Sequence, residues 1–176
     1  MSSAGAAPPL TDRQIAGCFN RGLGRRHRVR LLGGAEEPLY LPGDDWATIR
    51  YTRDYAASAL HELAHWCTAG AARRRLADYG YWYRPPPRST AEQAAFARVE
   101  VPVQALEMRF ADAAGLPFRV SVDDLEAPPG TADDFAALVE AEVERPIAWL
   151  PARARCLLAE LARCRAALAA SGGFEG

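Results

Sequence analysis

The chain has 176 residues, 49% hydrophobic and 24% charged, which is the make-up of one folded domain large enough to bury a core. Its formal net charge of -1 argues against a dedicated nucleic-acid binder, because counterion release needs a concentrated positive face. No window approaches the length of a membrane-spanning helix, and the small, proline-bearing N-terminus lacks the charged leader and apolar run of a secretory signal.

Residues 1–10 are expected to be a flexible lead-in, 11–171 a single domain and 172–176 a flexible tail. Thr11 with Gln14 forms a capping box that opens a short helix through Ile15, Cys18 and Phe19, ended by Gly22 and Gly24. Val29 to Leu32 and Leu39 to Leu41 pattern as short strands flanking a Gly33-Gly34 turn, with Thr48 to Tyr51 as a third. From Asp54 as N-cap, the segment Tyr55 to Thr68 repeats apolar residues at helical spacing and stops at Gly70. An arginine run (Arg73 to Arg75) and an aromatic cluster (Tyr79, Tyr81, Trp82, Tyr83) follow, then the rigid Pro85-Pro86-Pro87. Thr90 with Gln93 reads as a second capping box, and Pro102 is expected to kink or restart the helix that runs on to Gly115. A short strand over Phe118 to Val122, an acidic turn and two more helices, Asp134 to Val143 and Ala152 to Ala170, complete the chain. The fold class is α+β, mostly helical with a small sheet. The four cysteines, Cys18, Cys67, Cys156 and Cys164, show no paired metal or redox spacing and are expected to be reduced thiols in a cytoplasmic protein.

The chemistry concentrates in His61-Glu62-Leu63-Ala64-His65, an H-E-x-x-H on the predicted helix. Residues four apart share a helix face, so both imidazoles can converge on one ion. Two of the chain's 3 histidines lie here. The helix is otherwise apolar, and two neutral imidazoles in a core need a polar partner, which a shared metal supplies. Cys67 is turned about 200° from His65 and faces the core. Two histidines need a third ligand. Glu100, on the next strong helix, is the first choice; Glu92 and Glu107 compete, with Glu92 suited to the exposed first turn of its helix and Glu107 to a supporting position two turns on.

The run Ala57 to Cys67 resembles the elongation factor P hydroxylase family. The likeness continues through Ala69-Gly70, Arg73-Arg74, Asp78 to Tyr83, Val99-Glu100-Val101, Gln104-Ala105-Leu106, Ala113-Ala114-Gly115 and Pro117-Phe118, and upstream through Glu37 to Pro42. The resemblance implies a zincin-like fold and oxygen-dependent hydroxylation of a lysine of elongation factor P already extended by a β-lysyl group. It also implies non-haem iron, Fe(II), held by His61, His65 and Glu100, without 2-oxoglutarate.

On the bare motif the nearer reading is a zinc-dependent peptidase with Glu62 as general base; the resemblance reverses that order. As a hydroxylase, the chain would use Glu62 as a proton donor or acceptor, or to orient a ligand. Tyr40, Asp78 and Tyr81 are candidate contacts for the substrate side chain, and Arg74, with Arg73 and Arg75, for an acidic face of the protein substrate, although a solvated arginine face explains that run equally well. No flavin or nicotinamide fingerprint is present, so the electron donor is expected to be external, alongside O₂ as co-substrate; neither nucleic acid nor membrane is expected as a partner.

Overall fold

A computed structural model describes residues 7–81, 88–121 and 131–171. Trp82, Tyr83, the triple proline, Val122 and the acidic turn lie outside the described residues. The described chain is α+β: six α-helices and one three-stranded sheet among the described residues.

Helix α1 (Asp12–Arg21) opens on the expected capping box, Thr11 accepting from the Gln14 amide while the Gln14 side chain returns the bond. The lead-in is not loose up to residue 10. Leu10 is buried and its N–H donates to Ala114 O at 2.9 Å, and Arg165 reaches the carbonyls of Ala7 and Pro8. A short α2 (Leu23–His27) leads into β1 (Val29–Ala35), which continues through Gly33 and Gly34 with a bulge between Leu32 and Ala35. The glycines therefore make no hairpin. β1 pairs in parallel with β3 (Ala47–Thr52), and β2 (Leu39–Leu41) lies antiparallel on the other side of β3. Both outer edges are covered: Asn20 exchanges two bonds with the Leu31 backbone, and the Asp78 carboxylate accepts the Tyr40 N–H.

Helix α3 (Ala56–Thr68) begins one residue later than expected, with Tyr55 and not Asp54 at its N-cap and no side-chain cap. Its residues Leu60, Leu63, Ala64, Trp66 and Cys67 all enter the main core beside Phe19, Phe110 and Leu157. Helix α4 (Thr90–Ala114) packs against it. Its capping box is Ser89 with Glu92, one residue ahead of the expected pair. Pro102 sits inside α4 without ending it. Proline withholds only the bond to the carbonyl four residues earlier, that of Arg98, and Arg98 lies on the exposed face where water can serve that oxygen. Gly115 closes the helix at φ 76, the left-handed geometry that favours glycine.

Phe118 to Ser121 is not a strand; its backbone instead pairs with a side chain of α4, as described below. Helix α5 (Thr131–Val143) docks on α4 through Phe135 and Val139 against Phe96, and α6 (Ala152–Ser171) packs Ala154, Leu157 and Leu161 into the main core. Cys18 of α1 and Cys164 of α6 are joined as a disulfide, with Cα atoms 6.6 Å apart, where four free thiols were expected. A pairing across 146 residues is created by helix packing and has no signature in local spacing. Cys67 and Cys156 are free. Among the described residues, no helix is long and apolar enough to cross a membrane.

Candidate metal centre

Helices α3 and α4 face each other across a cleft of about 490 Å³. Helical spacing explains what lines it. From α3 come Ala57, Ser58, His61, Glu62 and His65, and from α4 come Phe96, Glu100, Gln104 and Glu107, each set on one face at steps of three and four residues. Pro38, Arg119 and Ser121 complete the wall. Gln104 fixes that last segment: its amide donates to Ser121 O at 2.8 Å and its oxygen accepts the Ser121 N–H at 2.9 Å.

At the base of the cleft, His61, His65 and Glu100 each turn one ligating atom inward, all within 4.8 Å of one another. The two Nε2 atoms are 3.1 Å apart, His65 Nε2 is 3.3 Å from Glu100 Oε1, and His61 Nε2 is 3.7 Å from Glu100 Oε2. Nitrogen and oxygen ligands sit about 2.0–2.2 Å from a first-row divalent ion, so neighbouring ligands around one ion fall roughly 3–3.5 Å apart. Two of the three separations fall in that range and the third, His61 to Glu100, is slightly longer, so a small inward turn of the side chains would bring the set onto such an ion. Glu92, the exposed competitor, accepts from the backbone and hydroxyl of Ser89 in its capping box and takes no part.

Glu107 belongs to the site in another way. Its Oε2 lies 2.7 Å from His61 Nδ1. A carboxylate only accepts, so Nδ1 carries a proton and Nε2 is the ring atom that faces His65 and Glu100. This is the arrangement by which a carboxylate orients a ligating histidine. His65 has no such partner; its Nδ1 is buried and unbonded among the described residues. Its ring instead lies near-parallel to that of Tyr79, 6.2 Å away at 15°, and 6.3 Å from that of Tyr81.

The electrostatics follow from this crowding. Burial opposes charge on His61, but the Glu107 hydrogen bond and charge, joined by Glu100 and Glu62, push it up to about 9. Burial and the neighbouring His61 charge push His65 down to about 3. Glu62, buried on the cleft wall, is pushed up to about 7, chiefly by burial and against the pull of His61. Two neighbouring imidazoles with opposite tendencies are what a shared proton, or a shared cation, resolves.

The expected substrate contacts fall elsewhere. None of Tyr40, Asp78, Tyr81 and Arg74 lines the cleft. Tyr40 is buried, and its N–H, hydroxyl and ring are each engaged, by the Asp78 carboxylate, by Arg74 O and by stacking on Tyr79 at 4.3 Å. These contacts tie it to the turn that carries Asp78 and Tyr79. Asp78 and Tyr79 both adopt left-handed backbone, φ 47 and 58. For non-glycine residues this costs on the order of 1–3 kcal/mol each, and the Tyr40 contacts offset it. The strained turn sets the Tyr79 ring against His65. Tyr81 is the one expected contact whose ring neighbours His65, with the Arg73 guanidinium 4.2 Å over its ring. Sequence reasoning missed Ser58, Phe96 and Gln104, all readable as helical neighbours of His61 and Glu100, and Arg119 and Ser121, which no periodicity marks.

A larger groove, about 940 Å³, lies between α4, α6 and the turn at Ile147–Trp149. Its three arginines are each engaged, Arg109 with the carbonyls of Val143 and Arg145, Arg155 with that of Ala148, and Arg145 with the Glu142 carboxylate at 3.0 Å. It gathers no ligating set among the described residues.

Comparison with known proteins decides the family. The family model described as elongation factor P hydroxylase matches residues 18–168. The chain belongs to the elongation factor P hydroxylase family. A curated family member, elongation factor P lysine hydroxylase of Haemophilus influenzae, is 42% identical over 133 residues, covering 74% of this chain and 75% of the relative. In this elongation factor P hydroxylase family member, every element that builds the cleft lies within the matched span.

Proposed function

We propose that this protein hydroxylates the β-lysyl-extended lysine of elongation factor P, using Fe(II) held by His61, His65 and Glu100, O₂ and an external electron donor. The observation that carries the reading is the convergence of those three side chains at the base of a cleft, in a chain of this family. His61, His65 and Glu100 would hold the iron, which when bound would supply oxygen activation at an unactivated C–H bond.

The chain's own residues do the rest. Glu107 keeps His61 in the tautomer that can ligate. Phe96 and Pro38 give the cleft apolar walls along which the methylenes of a long lysyl chain can lie. Gln104 holds the 119–121 wall in place, narrowing the access of water. Glu62 lines the cleft beside the ligands without entering the set. Its buried carboxyl is suited to hold or release a proton at its own oxygen when the substrate's ammonium groups or the reacting centre require one.

The test uses purified protein reconstituted anaerobically with iron(II), then exposed to air with a reductant and β-lysylated elongation factor P. Mass spectrometry of the factor should show a gain of one oxygen atom, dependent on iron. Activity with zinc alone, accompanied by cleavage of a peptide, would overturn the hydroxylase reading in favour of a peptidase with Glu62 as base. In the same assay Glu62→Gln is expected to bind a full complement of iron and to turn over roughly 10–100-fold more slowly. Loss of iron from that variant would instead make Glu62 a ligand.

A further inference from the structure

We infer that an arginine face at the C-terminal end of α3 docks a carboxylate-rich surface of the protein substrate beside the cleft. The inference rests on the proposed function for the identity of the partner, but not for the existence of the surface.

Three separate parts of the chain build it. Arg153, from the start of α6, donates to Cys67 O at 3.1 Å and to Ala69 O at 2.8 Å, and Arg74 donates to the same Ala69 carbonyl. The Arg153 guanidinium also lies 5.0 Å over the Trp66 ring, and His27 of α2 meets that ring edge-on at 5.4 Å. Arg73 and Arg75 flank Arg74 in one tight turn, and neither they nor Arg74 and Arg153 pair with a carboxylate among the described residues. Arg26, next to His27, does have one: Glu160. His27 is held below its ordinary value by burial and by Arg153, Arg74 and Arg26, in keeping with their closeness.

The charge does not balance. A helix C-terminus presents roughly half a negative charge, set here against three guanidinium groups held by the fold, those of Arg73, Arg74 and Arg153, with the exposed Arg75 beside them. An ordered cluster of like charges is a cost to stability, and counter-charges from a partner remove it. The cluster is also continuous with the site, because Arg73 covers Tyr81, whose ring is 6.3 Å from that of His65. A partner seated on the arginines therefore lies against the residues that back His65. A protein fits better than a nucleic acid: the formal net charge of -1 supplies no broad positive field for a phosphate backbone, and among the described residues Trp66 is buried and Tyr81 half-buried under Arg73, leaving the small His27 ring exposed at this face.

The experiment compares wild type, Arg75→Glu and Arg74→Glu/Arg75→Glu, with Arg163→Glu as a charge control about 15 Å further along α6. Arg75 is exposed and holds nothing in place, so its single variant guards against misfolding of the double. Intact β-lysylated elongation factor P is the probe, in direct binding and in the oxygen-addition assay at low and at raised salt. The double variant is expected to show Kd and KM about tenfold higher with kcat unmoved, the single variant a smaller rise and Arg163→Glu none; salt should weaken wild type more than the double variant. Equal Kd in wild type and the double variant would overturn the proposal. So would a single-stranded RNA oligonucleotide bound by wild type and lost by the double variant while Kd for the factor stays fixed. If wild type adds no oxygen yet its Kd still depends on Arg74 and Arg75, docking stands and the hydroxylase reading falls.

Discussion

Glu100→Gln is expected to keep the fold and lose the metal. Glutamine preserves the shape of the side chain and its place on α4, so packing against α3 survives. What disappears is the one anionic donor facing the two imidazoles, at 3.3 and 3.7 Å. Two neutral nitrogens alone bind a divalent ion weakly, and an amide oxygen is a poor substitute for a carboxylate. Affinity for iron(II) should fall by at least about 100-fold, more than the loss of a supporting residue would cause, and oxygen addition to the factor should become undetectable. The informative control is Glu92→Gln. That residue sits in the capping box, where glutamine serves as well as glutamate, so iron content should not change. Metal analysis after dialysis, together with thermal unfolding to verify the fold, reads both outcomes. A Glu100→Gln protein that retains a full equivalent of iron would remove the three-residue ligand set.

The prediction depends on a residue that the sequence placed only in part. His61 and His65 are legible on their own, because their spacing puts both on one helix face whatever the tertiary structure. Glu100 is a different case. Helical periodicity leaves Glu92, Glu100 and Glu107 all available, and what selects Glu100 is the packing of α4 on α3, with Pro102 absorbed into a continuous helix. A kink or restart at Pro102, as expected, leaves open how Glu100 and Glu107 line up. An unbroken helix sets Glu100, Gln104 and Glu107 in line along one wall. The sheet was legible as segments and illegible as topology: three short strands were marked by β-branched and aromatic residues, but β1 pairs with β3 across the intervening β2, and only the parallel register shows that Gly33-Gly34 is no turn. Tyr40 and Asp78 read as substrate contacts because polar aromatic and acidic side chains near a motif commonly are. Their mutual hydrogen bond and the left-handed turn at Asp78-Tyr79 are products of tertiary contact, which a one-dimensional pattern does not contain.

The second large effect belongs to Glu107. Its hydrogen bond to His61 Nδ1, at 2.7 Å, does two things at once. It fixes the ring so that Nε2 points into the cleft, and its negative charge makes that nitrogen a better donor. Glu107→Leu removes both. The Nδ1–H would then be a buried donor without a partner, and the ring would gain from turning over to find water, taking Nε2 out of the ligand set. Iron affinity should fall by roughly 100-fold. Glu107→Gln keeps an oxygen that accepts from Nδ1–H while deleting the charge, so its loss should be nearer tenfold, at the weak end of the same range. The graded pair separates orientation from mere packing, since leucine and glutamine fill nearly the same volume. Cobalt(II) substituted into each variant gives an absorption spectrum sensitive to ligand geometry, and it should change for Glu107→Leu while staying close to wild type for Glu107→Gln. If both variants bind iron as tightly as wild type, the carboxylate–histidine contact is structural and His61 needs no orienting partner.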